Sequence, residues 1–152
     1  MDDITTDPGY NGGDYTAQPR GLIAAHQLLF MMTSAPLVQH AQAPTRDKAD
    51  SSITVWLTNR MRGADANDML YQFSASRDYD PSLHLAQVTA PVLAINSADD
   101  LVNPPELGVM ERLMTQVVLL PITPQTRGHG THSLPAVWGG RLAEFLRELP
   151  AR

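Results

Sequence analysis

The spacing of apolar residues changes along the chain, from helical patterns in the first half to short continuous runs in the second. Residues 21–34 are apolar nearly all round, which predicts a helix buried on several sides and ended by Pro36. Two further helices are predicted over Ser51–Met61 and Asp65–Arg77. The first half of the chain is therefore expected to be mainly helical.

Capping and loop-forming residues set the predicted ends of these helices. Ser51 or Ser52 is a candidate N-cap for the second helix, and Asp65 is the candidate for the third. Residues 1–20 contain closely spaced Gly and Pro, and residues 39–50 are polar, so both segments are predicted as loop or linker.

Continuous apolar runs in the second half predict strands. Val88–Ile95 and Val117–Pro121 contain β-branched residues and resemble strands covered on both faces. Helices are predicted over Pro104–Met114 and Leu134–Leu149. This strand–helix–strand–helix order predicts a parallel pair of strands with a right-handed crossover, and hence an α/β fold class.

Two strands are too few for such a sheet. A parallel pair buried on both faces needs neighbouring strands, because its outer backbone groups otherwise lack hydrogen-bond partners. We therefore expect the remaining strands to lie before Met1 or in another chain.

Composition narrows the function classes. The chain has 152 residues, a net charge of −5 and no cysteine. The acidic balance argues against nucleic acid as a partner, and the lack of cysteine excludes disulfides and a thiol nucleophile. The acidic N-terminus does not resemble a signal peptide, and no apolar run reaches the ~18 residues of a membrane span. We expect a cytoplasmic protein with no cofactor, no membrane partner and no nucleic-acid partner.

An acid and a histidine follow the two predicted strands. Asp100 comes soon after Ile95, where functional groups of open α/β sheets gather at the ends of strands. His129 lies on a later loop between Gly128 and Gly130, and glycines permit unusual backbone angles there. Acid before histidine is the order of the second half of a Ser–Asp–His triad in the α/β-hydrolases.

Alternatives to these two residues stay open on sequence grounds. Asp99 competes with Asp100, and both acids could simply cap the turn before the Pro104 helix. His132 competes with His129, and together they form an H-x-x-H pattern that lacks an evident third ligand, so no metal site is predicted. The remaining histidines are predicted to be structural or solvent-exposed: His26, His40 and His84.

The nucleophile that should precede this pair is missing. A triad serine of this class stands on a G-x-S-x-G turn, and the pattern occurs nowhere in the 152 residues. None of the chain's serines has that context: Ser34, Ser51, Ser52, Ser74, Ser76, Ser82, Ser97 and Ser133.

Four further motifs occur along the chain in the order Asp7–Tyr15 (continued by Pro19-Arg-Gly-Leu22), Asp65–Tyr71, Asp100–Pro105 and Gly128–Gly130. In this order they resemble the C-terminal half of the homoserine O-acetyltransferase-like branch of the α/β-hydrolases. The second is similar to the family's return from the lid to the core, the third to the motif bearing its acid, and the fourth to the loop bearing its catalytic histidine. Together they span nearly the whole chain.

The resemblance implies a partial α/β-hydrolase fold, with an N-terminal loop and helical lid over 1–87 and the last part of the core over 88–152. It implies acyl transfer through a serine acyl-enzyme, in which His129 takes the serine proton and Asp100 orients His129. The expected partners are a small-molecule acyl ester or acyl donor, and either a second copy of the chain or the missing N-terminal half.

The resemblance leaves the reaction open between hydrolysis and acyl transfer. The acetyltransferases proper usually have an acid after the histidine, where Gly130 stands here. Without the serine, the chain is expected to be inactive alone. The alternative function is a non-catalytic remnant that acts as an interaction or dimerisation module.

Overall fold

The computed structural model describes residues 1–113 and 116–150. They form a mainly helical protein with a small two-stranded parallel sheet near the C-terminus, so the predicted α/β character is confirmed. The helices are α1 Asp2–Thr5, α2 Gly21–Thr33, α3 Pro36–Gln42, α4 Arg46–Met61, α5 Ala66–Ser74, α6 Val109–Leu113 and α7 Pro135–Glu148; the strands are β1 Leu93–Ser97 and β2 Gln116–Leu120. Short 3₁₀ turns occupy Pro8–Gly13, Ser82–Gln87, Pro105–Leu107 and Gly130–Ser133.

The described residues divide into two compact units. The first unit consists of Met1–Met31 and His40–Asp80, and the second of Met32–Gln39 with the residues from Pro81 onward. A small core in the first unit is formed by Ile4, Leu22, Ala25, Ala66 and Met69. The predicted division into a lid over 1–87 and a core segment over 88–152 stays a prediction, and residues 151–152 lie outside the described residues.

Asp65 caps helix α5, as the sequence predicted. Its Oδ1 accepts the backbone N–H groups of Asn67 at 2.9 Å and Asp68 at 3.1 Å. Its Oδ2 accepts the hydroxyl of Tyr15 at 2.8 Å and the side-chain amide of Gln18 at 2.7 Å. The carboxylate therefore ties the start of α5 to the irregular N-terminal segment.

Helix α4 begins earlier than predicted. Thr45 is its N-cap and accepts the N–H of Lys48 at 3.4 Å, so the prediction of Ser51 or Ser52 was wrong. Residues 39–50 are likewise not a linker, because α3 and α4 cover most of them. No sequence pattern marks this start, because none of the residues of α4 is buried and an exposed helix carries no apolar stripe.

Helix α2 is buried on one side only, contrary to the prediction of burial on several sides. It buries Gly21, Leu22, Ala25 and His26, which are spaced as one helical face, while other apolar side chains such as Met31 are exposed.

In the described part of the chain no single helix is long and apolar enough to cross a membrane. Helices α2 and α3 reach the length and apolar composition of a membrane span only when they are taken together across the break between them.

Strands β1 and β2 pair in parallel, as predicted, with Ile95 opposite Val118. Strand β1 begins at Leu93 rather than at Val88 and extends to Ser97. Residues 88–91, at the start of the apolar run, are exposed and lie outside the strand, because hydrogen bonding to β2 decides which residues form it.

The helix predicted over Pro104–Met114 is broken in the structure. A 3₁₀ turn at Pro105–Leu107 is followed by α6, because Gly108 between them has a left-handed φ of 57°. Met114, the predicted end of this helix, lies outside the described residues.

His26 on α2 is a buried histidine in the first unit. Neither of its ring nitrogens has a hydrogen-bond partner among the described residues, and Trp56 lies edge-on at a ring-centroid distance of 6.4 Å. Burial, with a smaller contribution from the charge of Arg60, lowers the pKa of His26 below its ordinary value. The folded unit therefore favours the neutral ring.

We expect the first unit to lose stability as the pH falls below the pKa of an unfolded histidine, about 6.5. Because folded His26 has the lower pKa, the unfolded chain takes up the proton first. The free energy of unfolding then falls by up to about 1.4 kcal/mol per pH unit until the pKa of the folded state is passed. Urea unfolding between about pH 7.5 and pH 5.5, followed by Trp56 fluorescence in a Trp138→Phe variant, measures this effect.

The matched variants for this measurement are His26→Leu and His40→Leu. His40 is exposed in the first unit, so its replacement should keep the pH dependence, whereas His26→Leu should remove most of it. Equal pH slopes in the two variants would show that His26 is not the cause.

Candidate functional site

A tight turn at the end of β1 holds Asp100. Its Oδ1 accepts the N–H groups of Val102 at 2.8 Å and Asn103 at 3.1 Å, and its own N–H donates to the carbonyl of Ser97 at 3.1 Å. The side-chain amide of Asn96 donates to the carbonyl of Asn103 at 2.8 Å and closes the turn. Asp100 is only 6% exposed, so these bonds fix the direction of its remaining oxygen, Oδ2.

A second turn, after β2, carries His129. The N–H of Arg127 donates to the hydroxyl of Thr131 at 2.8 Å, and the N–H of Gly130 donates to the carbonyl of Arg127 at 3.1 Å. Gly128 has a φ of 57°, and a Cβ there would lie 2.8 Å from the carbonyl oxygen of Ser34. Glycine is therefore required at position 128 both for the backbone angle and for the close approach.

The structure brings Asp100 and His129 together. The Nδ1 atom of His129 lies 3.1 Å from Oδ2 of Asp100. Since the carboxylate oxygen is an acceptor, Nδ1 carries the proton and donates it, which leaves Nε2 as the free acceptor of the neutral ring. The His129 side chain is 31% exposed, so the ring is accessible while its partner is buried.

The surroundings keep Asp100 ionised. Burial alone would raise the pKa of Asp100, but the N–H of Asn103, the ring of His129 and the N–H of Val102 together hold the pKa below its ordinary value. An ionised, buried carboxylate aimed at Nδ1 fixes the tautomer of a histidine and stabilises the imidazolium that forms when Nε2 takes a proton.

Asp99, the rival acid, is engaged elsewhere. Its Oδ1 accepts the hydroxyl of Ser97, and its Oδ2 accepts the N–H of Gly128 at 3.1 Å. The hydroxyl of Thr126 lies 3.0 Å from the same Oδ2 atom. The adjacent acids therefore have different partners: Asp99 binds Ser97 and the backbone of Gly128, whereas Asp100 binds the turn after β1 and the ring of His129.

The other histidines occupy different environments. His132 is exposed; its Nδ1 lies within hydrogen-bond distance of the carbonyl of His129, and the two rings are 5.1 Å apart. His84 Nδ1 lies 3.4 Å from the side-chain amide of Gln87, His40 is exposed, and His26 is buried in the first unit. Within residues 1–113 and 116–150 no group of three or more His, Cys, Asp or Glu side chains is arranged to hold a metal ion.

A cavity of about 320 Å³ lies beside the acid–histidine pair. Asp100 and His129 line it together with apolar side chains from β1, β2 and α7, which are Leu93, Ile95, Leu120 and Trp138. Two hydroxyl residues also line it. However, Ser97 donates to Asp99, and the Thr131 hydroxyl accepts the N–H of Arg127. Both hydroxyls are thus engaged in holding the turns.

Sequence reasoning missed the residues that support the pair. Asn96, Asn103 and Thr126 were not singled out, although each makes a hydrogen bond that fixes one of the two turns. The available signal was the four polar residues in Asn96-Ser-Ala-Asp-Asp100 directly after the apolar run, because buried polar groups there need partners. Thr126, which is 27 residues after Asp99, gives no comparable local signal.

Comparison with known proteins leaves the site to be interpreted from its own geometry. No family model matches the chain, and no curated protein gives a significant match to it.

Proposed function

We propose that this chain supplies the acid and the histidine of a serine-dependent acyl-transfer site, in an enzyme of α/β-hydrolase type that is either a hydrolase or an acyltransferase. The observation that carries the proposal is the buried Asp100 carboxylate 3.1 Å from Nδ1 of the accessible His129 ring. The serine comes from polypeptide outside these 152 residues, which contain no G-x-S-x-G turn.

In the proposed reaction His129 is the general base and then the general acid. Its Nε2 takes the proton of the serine hydroxyl as the serine oxygen forms a bond to the acyl carbonyl carbon. Nε2 then returns this proton to the leaving oxygen as the bond between that oxygen and the acyl carbon breaks. Water or an acceptor hydroxyl attacks the acyl-enzyme by the same route, so the final acceptor decides between hydrolase and transferase. Asp100 stays ionised throughout and orients the ring.

The open edges of the sheet support the proposal that further polypeptide completes the site. In the described part of the chain the sheet consists of β1 and β2, so each strand has one edge without a strand beside it. Parallel sheets are found with further strands and with helices on both faces. The carboxyl ends of β1 and β2 lead into the turns of Asp100 and His129, and a neighbouring parallel strand would present its own end at the same place.

The test compares the 152-residue chain with a protein extended upstream in the same reading frame. Alone, the chain is expected to hydrolyse p-nitrophenyl acetate no faster than its His129→Ala variant and to take up no fluorophosphonate label, because it lacks an activated serine. The extended protein is expected to hydrolyse the ester and to be labelled at one serine. His129→Ala should abolish both properties.

Two results would contradict the proposal. Turnover by the chain alone that His129→Ala abolishes would show that the nucleophile lies within these 152 residues. An extended protein that hydrolyses the ester equally well in its His129→Ala variant would exclude His129 from the reaction.

A second candidate function is a non-catalytic interaction or dimerisation module. It is favoured by the apolar side chains around a cavity of about 270 Å³ beside β2, where Leu107, Val109 and Leu119 are 60%, 43% and 46% exposed. Clustered exposed apolar side chains are typical of surfaces that contact another protein. A stable, cooperatively unfolding homodimer would favour this candidate, whereas ester hydrolysis that depends on His129 would favour the first.

A further inference from the structure

The carboxylate of Asp99 is bound by groups from two separate segments of the second unit. At the end of β1, Ser97 donates its hydroxyl to Oδ1. On the later loop, the N–H of Gly128 lies 3.1 Å from Oδ2 and the hydroxyl of Thr126 lies 3.0 Å from the same atom. We propose that Asp99 is a positioning residue that fixes the His129 loop to the end of β1 and thereby holds the His129 ring against Asp100.

A carboxylate fits this position better than any neutral side chain of the same size. Oδ2 faces two groups that can donate to it, and Oδ1 faces a third. An asparagine has one acceptor oxygen, so its NH₂ group would point at a donor on one side or the other. Gly128 is buried, so an N–H left there without its acceptor would destabilise the loop.

Thr126 connects the carboxylate to the rest of the loop. It is fully buried, and its Oγ1 also accepts the N–H of Thr123 at 3.1 Å. The same Oγ1 lies 2.9 Å from the carbonyl of Thr123. One hydroxyl therefore joins Asp99 to the turn that precedes the histidine.

The contact acts on His129 through the residue before it. The N–H that Asp99 holds belongs to Gly128, whose left-handed φ of 57° sets the direction of the chain into His129. The carbonyl oxygen of Asp99 would lie 3.1 Å from a Cβ on Gly128, so the backbones of the two segments also touch. Asp99 thus fixes the backbone of the loop, and Asp100 fixes the ring that the loop carries.

This inference rests on the proposed function for its importance in the reaction, but its test does not need the missing serine. The measurement is the tautomer of His129 at a pH where the ring is neutral, read from the ¹⁵N shifts of the imidazole in the 152-residue chain. Asp100→Asn is the reference for a ring without its acid, and its expected result is loss of the Nδ1–H tautomer.

Asp99→Asn is expected to change the His129 tautomer population most of the way towards that of Asp100→Asn, and to speed amide hydrogen exchange at Gly128 at least about tenfold. Thr126→Val keeps the charge of Asp99 and removes only the hydroxyl, and it should act in the same direction. Thr126→Ser restores the hydroxyl and should resemble the unchanged protein. This pair keeps the inference testable if Asp99→Asn does not fold.

The outcomes separate the inference from the proposed function. If Asp100→Asn changes the tautomer while Asp99→Asn and Thr126→Val leave it unchanged, Asp99 has no positioning role and only the inference fails. If Asp100→Asn also leaves the tautomer unchanged, the pairing of acid and histidine behind the proposed function fails. Faster exchange at Gly128 with an unchanged tautomer would show a purely structural role and would overturn the inference.

Discussion

In an enzyme completed by the nucleophile-bearing polypeptide, Asp100→Asn is expected to lower kcat for p-nitrophenyl acetate about 10⁴-fold. The turn should survive, because the asparagine oxygen can still accept the N–H groups of Val102 and Asn103. The side-chain NH₂ would then face Nδ1 of His129, 3.1 Å away in the unchanged protein. Since NH₂ is a donor, it favours the tautomer with the proton on Nε2, and that nitrogen can no longer act as a base.

The control for this change is Asp65→Asn, which replaces another hydrogen-bonded carboxylate with its amide. Asp65 caps α5 in the first unit and has no part in the proposed reaction, so kcat should not change greatly. Asparagine can keep the cap through its oxygen, but the Tyr15 hydroxyl and the Gln18 amide lose their acceptor, so the first unit should lose some stability. Steady-state kinetics with far-UV circular dichroism of each variant makes the comparison. A larger loss of kcat in Asp99→Asn than in Asp100→Asn would mean that Asp99 is the acid of the pair.

The sequence could predict the pairing of the two residues but not what holds it. Acid at a strand end and histidine on a later loop follow from chain order, and the structure has Asp100 and His129 in contact. Their action in acyl transfer stays a proposal. The role of Asp99 could not be predicted, because its partner Thr126 is 27 residues away and only the fold brings them together.

The fold was predictable where local signals and tertiary contacts agree. The Asp65 cap and the parallel pairing of β1 with β2 follow from short-range chemistry and from the order of the elements. The predicted start of α4 and the predicted limits of β1 were wrong for different reasons. Helix α4 has no buried face to reveal it, and the apolar run before Leu93 is not matched by a hydrogen-bonding partner strand.

Backbone contacts between distant segments are the hardest features to predict, and Gly21 gives the clearest case. A Cβ on Gly21 would lie 1.8 Å from the carbonyl oxygen of Asp3 and 2.9 Å from Cα of Ile4. The N–H of Gly21 also donates to Oδ2 of Asp7 at 2.6 Å. Nothing in the sequence around Gly21 marks this packing of α1 onto α2, because it depends on a segment that was predicted as loop.

Gly21→Ala is accordingly expected to destabilise the first unit by roughly 3 kcal/mol. The added methyl group meets backbone atoms rather than a flexible side chain, so α1 must move away from α2. That movement opens the core at Ile4 and Leu22, which are both fully buried. The loss should therefore include both the steric strain and part of the apolar burial that α1 provides.

Urea unfolding followed by Trp56 fluorescence, in a Trp138→Phe variant, measures this loss within the first unit. Gly63→Ala is the matched control, because the same methyl group on Gly63 meets nothing within 4 Å and Gly63 belongs to the same unit. It should be neutral or slightly stabilising, since alanine loses less backbone entropy on folding than glycine. Similar unfolding midpoints for Gly21→Ala and Gly63→Ala would mean that α1 does not pack against Gly21 in solution.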